Sequence, residues 1–180
     1  MSMKINDIQV VRTACFTGHR PNKLGGYEWN PTHDAVYQFV SETCLALIDR
    51  GIDTFITGMA IGTDQISALA VLHIKLFEVP TIKLVCAVPF SGQERKWSQN
   101  SQAFYHYCLN ASDLVHVVCD GDYEAWKMQK RNEWMVERSS IVISVWDGSD
   151  GGTANCVHYA ESKQKEIIRY HPGQNLVMMG

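Results

Sequence analysis

The stretch VVRTACFTGHRP, residues 10–21, decides the fold that this sequence predicts. A short apolar run over residues 10–16 is followed at once by a hydroxyl, a glycine, an imidazole, a guanidinium and a proline. A buried strand that ends in such a loop is typical of the carboxyl edge of an α/β sheet, where ligands bind. The candidate binding residues of this loop are Thr17, Gly18, His19 and Arg20.

Further runs of the same kind predict a parallel sheet. They are continuous rather than alternating, as in strands buried on both faces, and helical patterns lie between them. The predicted strands cover residues 10–17, 53–57, 81–88, 113–118, 140–146 and 166–169, and the helices 31–50, 63–78, 99–110, 123–138 and 153–165. This alternation predicts an α/β fold, a single-domain, Rossmann-like, doubly wound and mostly parallel sheet with helices on both faces, over residues 1–180. Asn30 is placed to cap the first helix and Pro31 to begin it.

The composition limits the classes of partner. The chain has 180 residues and a formal net charge of -3, which gives no overall basic field of the kind found in dedicated duplex-DNA binders. Nucleic acid is therefore not expected as a partner, although a local basic patch could still form. The sequence has no apolar stretch long enough for a bilayer and no signal-peptide core at its start, so a cytoplasmic location without membrane contact is the expectation.

The cysteines and histidines show no pattern of a disulfide framework or a metal site. The six cysteines lie mostly in apolar runs and form no CxxC pair, and the seven histidines form no HExxH motif. We expect reduced, buried thiols and neither a metal nor a cofactor.

Two more loops follow predicted strands and open helices. The first, TGMAIGTDQ at residues 57–65, has two glycines that could let backbone N–H groups approach an anion at a helix start, or could form a simple capped turn. The second, VWDGSDGGTAN at residues 145–155, is richer in glycine and has two aspartates that could accept ribose hydroxyls. The candidate residues are Gly58, Met59, Ala60, Gly62, Thr63, Asp64, Asp147, Gly148, Gly151, Gly152, Thr153 and Asn155.

Two stretches extend the candidate site. VPFSGQERKW, residues 88–97, contributes Pro89, Phe90, Gln93 and Trp97, and one of its aromatic rings could stack on a base or pack beneath a loop. The fourth helix contributes Arg131 and Asn132. Arg131 and Arg20 are the candidate phosphate ligands, because guanidinium presents a planar fork of donors.

Taken in order, the motifs TGHRP, GMAIGTDQ, PFSGQERKW, RNEWMV and VWDGSDGGTANCVHYA cover nearly the whole chain. Together they resemble the YpsA-like family of the SLOG superfamily, which is related to the DprA and LOG groups. The resemblance implies a Rossmann-like domain with a pocket for a nucleotide or a nucleotide derivative at the strand ends. Self-association of relatives implies a homodimer as a mild expectation.

The resemblance leaves three functions open. Some SLOG relatives look like sensors of nucleotide signals, LOG proteins are phosphoribohydrolases, and DprA relatives bind single-stranded DNA. The LOG pattern has a lysine and a glutamate where this chain has Asn132 and Cys156, and a thiol does not replace a carboxylate in N-glycosidic cleavage. No catalytic residue is therefore assigned, although Asp64, Asp147 or Asp150 could substitute.

The leading prediction is a binding module for a nucleotide or an ADP-ribose-like compound, acting as a sensor or a sequestering protein. Arg20 and Arg131 would meet phosphate, the glycine loops would cradle it, and aspartates would take ribose hydroxyls. A sensor of this kind would need a separate effector protein, because the sequence shows no effector domain.

Overall fold

The computed structural model describes residues 3–174 and 176–179 of the chain. The strands in these residues are β1 (Thr13–Gly18), β2 (Thr54–Thr57), β3 (Lys83–Val88), β4 (Leu114–Val117), β5 (Ile141–Val145), β6 (Glu166–His171) and β7 (Leu176–Met179). The α-helices are α1 (Pro31–Asp49), α2 (Thr63–Phe77), α3 (Gln99–Ala111), α4 (Ala125–Glu137) and α5 (Gly152–Ser162). The predicted α/β fold is confirmed.

One sheet contains the seven described strands, in the order β4-β3-β2-β1-β5-β6-β7. The six strands β1 to β6 all run parallel, while β7 pairs antiparallel with β6. The chain builds outward from β1 to β4 on one side and then returns to place β5 on the other side of β1. The strand order therefore reverses between β1 and β5, which is where open α/β sheets bind ligands, outside the carboxyl ends of the strands.

Helices cover both faces of the sheet. Successive side chains of a strand point to opposite faces, so Ala14 and Phe16 pack in one apolar cluster and Cys15 in the other. The first cluster contains buried residues of α1, α2 and α3, and the second contains those of α4 and α5. Strands β1, β2 and β5 are buried almost throughout, which explains their continuous apolar runs.

The ends of the helices differ in a way that matters for the site. Asn30 caps α1 by accepting hydrogen bonds from two backbone N–H groups, with Pro31 as the first helical residue, as predicted. Ser98 caps α3 by accepting from the Ser101 N–H. Helices α2 and α5 begin after Gly62 and Gly151, and like α4 they have no side-chain cap. A helix start without a side-chain cap leaves backbone donors available to another partner.

Three details of the strand prediction were wrong. Residues 10–12 form a 3-10 turn, since Val11 is 78% exposed and pairing with β2 begins at Thr13. Strand β4 is an edge strand whose residues alternate between half-buried and exposed, because it pairs with β3 alone. Strand β7 was not predicted, and it follows a short turn after β6.

Candidate functional site

The three predicted loops meet at the carboxyl edge of the sheet, and His19 joins them. Its backbone N–H donates to the Val145 carbonyl at 3.1 Å, and its own carbonyl accepts from the N–H and the hydroxyl of Thr63, each at 3.1 Å. Its ring atom Nε2 accepts from the backbone N–H of Asp147 at 3.1 Å. A single residue at the end of β1 therefore holds the loops after both neighbouring strands.

Close packing between β1 and α2 explains two of the glycines. A Cβ on Gly18 would lie 2.5 Å from the Thr63 hydroxyl oxygen. A Cβ on Gly62 would lie 2.5 Å from the His19 carbonyl oxygen, and Gly62 also has a φ of +105°. Both positions need glycine for the approach of the backbone, independently of any ligand.

The β2–α2 turn, residues 58–62, is closed by a buried ion pair. Arg131 and Asp64 are 5% and 6% exposed, and Arg131 Nη1 lies 3.3 Å from Asp64 Oδ2. The same carboxylate oxygen accepts from the Ala60 N–H at 3.2 Å, and the guanidinium also donates to the Gly58 carbonyl. The turn is thus stabilised by the protein's own charges.

Two residues of the candidate site form this pair. Arg131 was expected to meet phosphate and Asp64 to take a ribose hydroxyl, and in the ligand-free chain they contact each other. Asn132 accepts from Arg131 Nε at 3.0 Å and donates to the Gly152 carbonyl at 3.4 Å. The fourth helix therefore links the β2–α2 turn to the start of α5. Met59 in the same turn has a φ of +58°, a left-handed conformation that is unusual for a residue with a side chain.

The glycine loop, residues 147–151, is open where the β2–α2 turn is closed. Gly148, Gly151 and Gly152 are exposed, and a Cβ on any of them would have no atom within 4 Å. Gly151 is the N-cap, and α5 begins one residue earlier than predicted. Thr153 is half-buried and Asn155 is exposed. Helix α5 thus starts without a side-chain cap, and the glycines at its start leave open space around them.

Asp147 holds the glycine loop in shape. It accepts from the Ser149 N–H at 2.9 Å and from the Ser149 hydroxyl, and it lies 2.9 Å from His19 Nε2 and 3.7 Å from Lys23 Nζ. Partial burial would raise the pKa of Asp147, but the Ser149 bonds, His19 and Lys23 together bring it well below its ordinary value. Burial also lowers the pKa of His19, against the opposing effect of Asp147.

These shifts predict how stability depends on pH. Both groups bind protons more weakly in the folded state, so acidification favours the unfolded chain, first below the ordinary histidine pKa of 6.5 and later below the ordinary aspartate pKa of 3.8. We expect the melting temperature to fall between pH 7 and pH 5. His19→Gln should reduce this fall because glutamine does not titrate, and its side-chain oxygen can still accept the Asp147 N–H. Equal falls for both proteins, measured by scanning calorimetry, would contradict the prediction.

Arg20 lies at the surface, whereas Cys156 lies in the core. Arg20 has an exposed surface, yet desolvation of its guanidinium lowers its pKa, an effect that Asp64 opposes and Arg131 reinforces. Cys156 is fully buried, its thiol is hydrogen-bonded with Thr17, and burial raises its pKa to about 11. A neutral, enclosed thiol cannot serve as a general base near neutral pH.

Three of the four residues predicted after β3, namely Phe90, Gln93 and Trp97, line a neighbouring cavity of about 550 Å³. Pro89 and Phe90 are buried, Trp97 packs edge-on against Tyr105, and Gln93 donates to the Met59 carbonyl at 3.4 Å. Two cations and an exposed tyrosine complete this β3 cavity, whose lining is Phe90, Gly92, Gln93, Arg95, Lys96, Trp97, Asp122 and Tyr123. It adjoins the β2–α2 turn through Gln93.

Sequence reasoning missed a second cavity, of about 290 Å³. It lies between the segment after β1 and the starts of α2 and α3, and we call it the aromatic cavity. It is lined by Pro21, Tyr27, Glu28, Trp29, His33, Ile61, Gly62, Gln65, Ile66, Leu69, Ser98, Asn100, Ser101 and Phe104. The sequence feature that could have indicated this cavity is the group of aromatic residues in a loop directly before a helix.

The described residues contain no group of three or more His, Cys, Asp or Glu side chains that could hold a metal ion. In the same part of the chain, no helix is both long and apolar enough to cross a membrane.

A profile of the YspA SLOG family matches residues 14–174. The chain belongs to this family. Among SLOG relatives, the SPbeta prophage-derived protein YoqJ of Bacillus subtilis is 37% identical over 134 residues, 67% of this chain and 78% of YoqJ. A UPF0398 protein of Bacillus thuringiensis is 25% identical over 163 residues, 89% of this chain and 88% of that protein. The predicted family is confirmed.

Two solved structures share the SLOG-like fold. DNA processing protein A of Helicobacter pylori, described with a single-stranded DNA binding mode, has a TM-score of 0.63 and 14% identity over 94% of this chain and 70% of that one. DNA processing protein A of Streptococcus pneumoniae has a TM-score of 0.61 and 12% identity over 89% of this chain and half, 50%, of that one. At these identities the likeness concerns the fold. The expectation that nucleic acid is not a partner rested on net charge and finds no support in these neighbours.

Proposed function

We propose that this SLOG protein binds a nucleotide or a nucleotide derivative, such as an ADP-ribose-type compound, at the carboxyl edge between β1 and β5. Residues 1–180 would act as one binding domain and return the ligand intact, as a sensor or a sequestering protein. A sensor would pass its signal to a separate effector protein or to a second copy of the chain.

The open start of α5 carries this proposal. Its backbone donors have no side-chain cap, and the exposed glycines leave room for a ligand. It lies at the position where the strand order reverses, the usual ligand position of such sheets. The partial positive charge of a helix start and its free N–H groups together favour a phosphate.

Two cations of the segment after β1 support the same assignment. Lys23 Nζ contacts the Ser149 hydroxyl and lies 3.7 Å from Asp147, so a positive charge stands beside the glycine loop. Arg20 is exposed, whereas Arg131 is committed to Asp64. We therefore assign phosphate contacts to the α5 start, Lys23 and Arg20, and we give Arg131 a supporting role.

Substitution at Gly152 tests the phosphate position. A Cβ there meets nothing within 4 Å, so Gly152→Asp should fold, and its carboxylate should stabilise the helix start while repelling phosphate. We expect Gly152→Asp to weaken nucleotide binding at least about tenfold, since a buried or paired charge contact contributes on this scale. Gly152→Ala, which adds the methyl group without the charge, should change affinity by less than about threefold.

The measurement is a thermal-shift and calorimetric titration with AMP, ADP, ATP, NAD, ADP-ribose, cyclic ADP-ribose isomers and short single-stranded DNA. A ligand that binds the folded state raises the melting temperature according to its concentration and affinity. Chromatography of the recovered ligand separates binding from hydrolysis, because a phosphoribohydrolase would release free base. Equal binding by the wild type and Gly152→Asp would contradict the phosphate position.

Single-stranded nucleic acid is a second candidate, favoured by the β3 cavity. This cavity combines Arg95 and Lys96 with the exposed ring of Tyr123, which packs edge-on against Phe90. Cations beside aromatic rings are the usual means of binding single strands without sequence preference. Titration with short single-stranded DNA decides between the two candidates. If DNA is the ligand, its affinity should fall steeply as the salt concentration rises.

A further inference from the structure

Two residues that line the aromatic cavity each have a buried polar atom that lacks a partner. His33 and Gln65 are 5% and 6% exposed, and both line the cavity. Within the described residues, neither His33 Nε2 nor Gln65 Nε2 has a hydrogen-bond partner. Burying such a group without a partner is costly, and native proteins leave few of them. Two such atoms on residues of one cavity point to a partner outside the chain, either a bound water or a ligand.

The unpartnered atoms define what the cavity can recognise. Gln65 Nε2 is a donor, so it calls for an acceptor on the ligand. The His33 ring is hydrogen-bonded with the backbone of Gly26, which leaves Nε2 as the free nitrogen, and burial favours the neutral imidazole by lowering its pKa. The lining includes Glu28 but neither lysine nor arginine, so it disfavours the negatively charged phosphate part of a ligand.

The walls of the cavity favour a flat ring. Trp29 is 51% exposed, yet its position is fixed, because its indole N–H donates to Asp34 at 2.6 Å and its ring packs edge-on against His33. Tyr27 and Phe104 also line the space. Aromatic side chains at such a site stack on planar heterocycles. The volume of about 290 Å³ lies at the lower end of small-molecule pockets, which suits one ring with its sugar.

We propose that the aromatic cavity holds the nucleobase of the ligand, a planar uncharged heterocycle whose edge supplies an acceptor to Gln65 Nε2 and a second hydrogen bond to His33 Nε2. This inference rests on the proposed function, since it takes the ring and the phosphate to belong to one nucleotide. The aromatic cavity lies next to the segment that follows β1. Gly62 lines the cavity, and a Cβ on Gly62 would lie 3.1 Å from the Arg20 Cα in that segment.

Gln65→Leu tests the assignment. It removes the unpartnered amide and keeps a side chain of similar volume, so the ligand-free protein should unfold at the same or a higher temperature. Binding of the base should weaken at least about tenfold, because the ligand's acceptor would be buried without a donor. Ser67→Ala is the matched control: Ser67 also lies on α2 with an unpartnered buried hydroxyl, but it does not line the cavity, so its binding should match wild type.

The experiment is calorimetric titration with adenosine, cytidine, guanosine, uridine, their 5′-monophosphates and ribose 5-phosphate. Saturable binding of a nucleoside that Gln65→Leu weakens and Ser67→Ala does not supports the inference. Ribose 5-phosphate binding should be insensitive to Gln65→Leu. If Gln65→Leu misfolds, His33→Phe provides a second test. It keeps an aromatic ring but removes Nε2, so it should also weaken nucleoside binding.

The outcomes separate this inference from the proposed function. Nucleotide binding that neither cavity variant changes would overturn the base assignment and leave the function standing. Nucleoside binding lost in Gln65→Leu, together with nucleotide binding unaffected by Gly152→Asp, would support the cavity and overturn the phosphate position. Absence of binding by all nucleosides and nucleotides would overturn both.

Discussion

Replacing Asp64 with asparagine should lower the free energy of unfolding by about 3–5 kcal/mol, the usual cost of leaving a buried charge without its partner. The change keeps an oxygen that can accept the Ala60 N–H, so it removes the charge and little else. Arg131, 5% exposed, would then retain the Gly58 carbonyl and Asn132 as neutral partners. Urea denaturation followed by circular dichroism measures the loss.

Helix α4 supplies a control for this prediction. Lys130 lies next to Arg131 and forms an exposed pair with Glu133 at 3.1 Å. Lys130→Met should change stability by less than about 1 kcal/mol, as exposed pairs do. The double variant Asp64→Asn with Arg131→Met should be more stable than Asp64→Asn alone, because no charge would stay buried unpaired. A loss below about 1 kcal/mol in Asp64→Asn would show that the guanidinium is hydrated.

Gly62→Ala should be almost as damaging, with a loss of about 3 kcal/mol or more. The new Cβ would sit 2.5 Å from the His19 carbonyl oxygen and 3.1 Å from the Arg20 Cα, and neither backbone atom can move like the end of a flexible side chain. The left-handed φ of +105° adds strain for any residue with a side chain. The Thr63–His19 hydrogen bonds should weaken as the backbones separate.

Gly26→Ala isolates the steric part of that effect. Gly26 has a similar φ of +115°, but a Cβ there would meet nothing within 4 Å. Only conformational strain remains, so a loss of about 1 kcal/mol is expected. If the two variants lose the same stability in urea titrations, the close approach of α2 to β1 is not a constraint on the fold.

Local patterns were enough to predict most of the fold. Asn30 and Pro31 mark the start of α1 through backbone hydrogen bonding, and the runs that became β1, β2 and β5 are apolar because both faces are covered. The short β7 was missed because its pairing depends on β6 rather than on its own sequence. The exposure of β4 likewise depends on its edge position.

The site was harder to predict because its key contacts are distant in sequence. Arg131 and Asp64 are separated by 67 residues, and nothing in either motif indicates that they neutralise each other. His33 and Gln65 lie within helical patterns where a buried side chain is usually core, and the structure alone shows that they line a cavity. The nearness of the three loops was predictable, since parallel strands end at one edge.

His19 gives the carboxyl edge between β1 and β5 a mechanical property. Its carbonyl holds the start of α2, its amide holds Val145, and its ring holds the Asp147 backbone. The two flanking loops therefore share one anchor, and neither can shift without straining the bonds of the other. Much of the conformational entropy of this edge is lost when the chain folds, so less would remain to be lost on binding of the proposed ligand. A ligand that contacted one loop would find the other loop already in position.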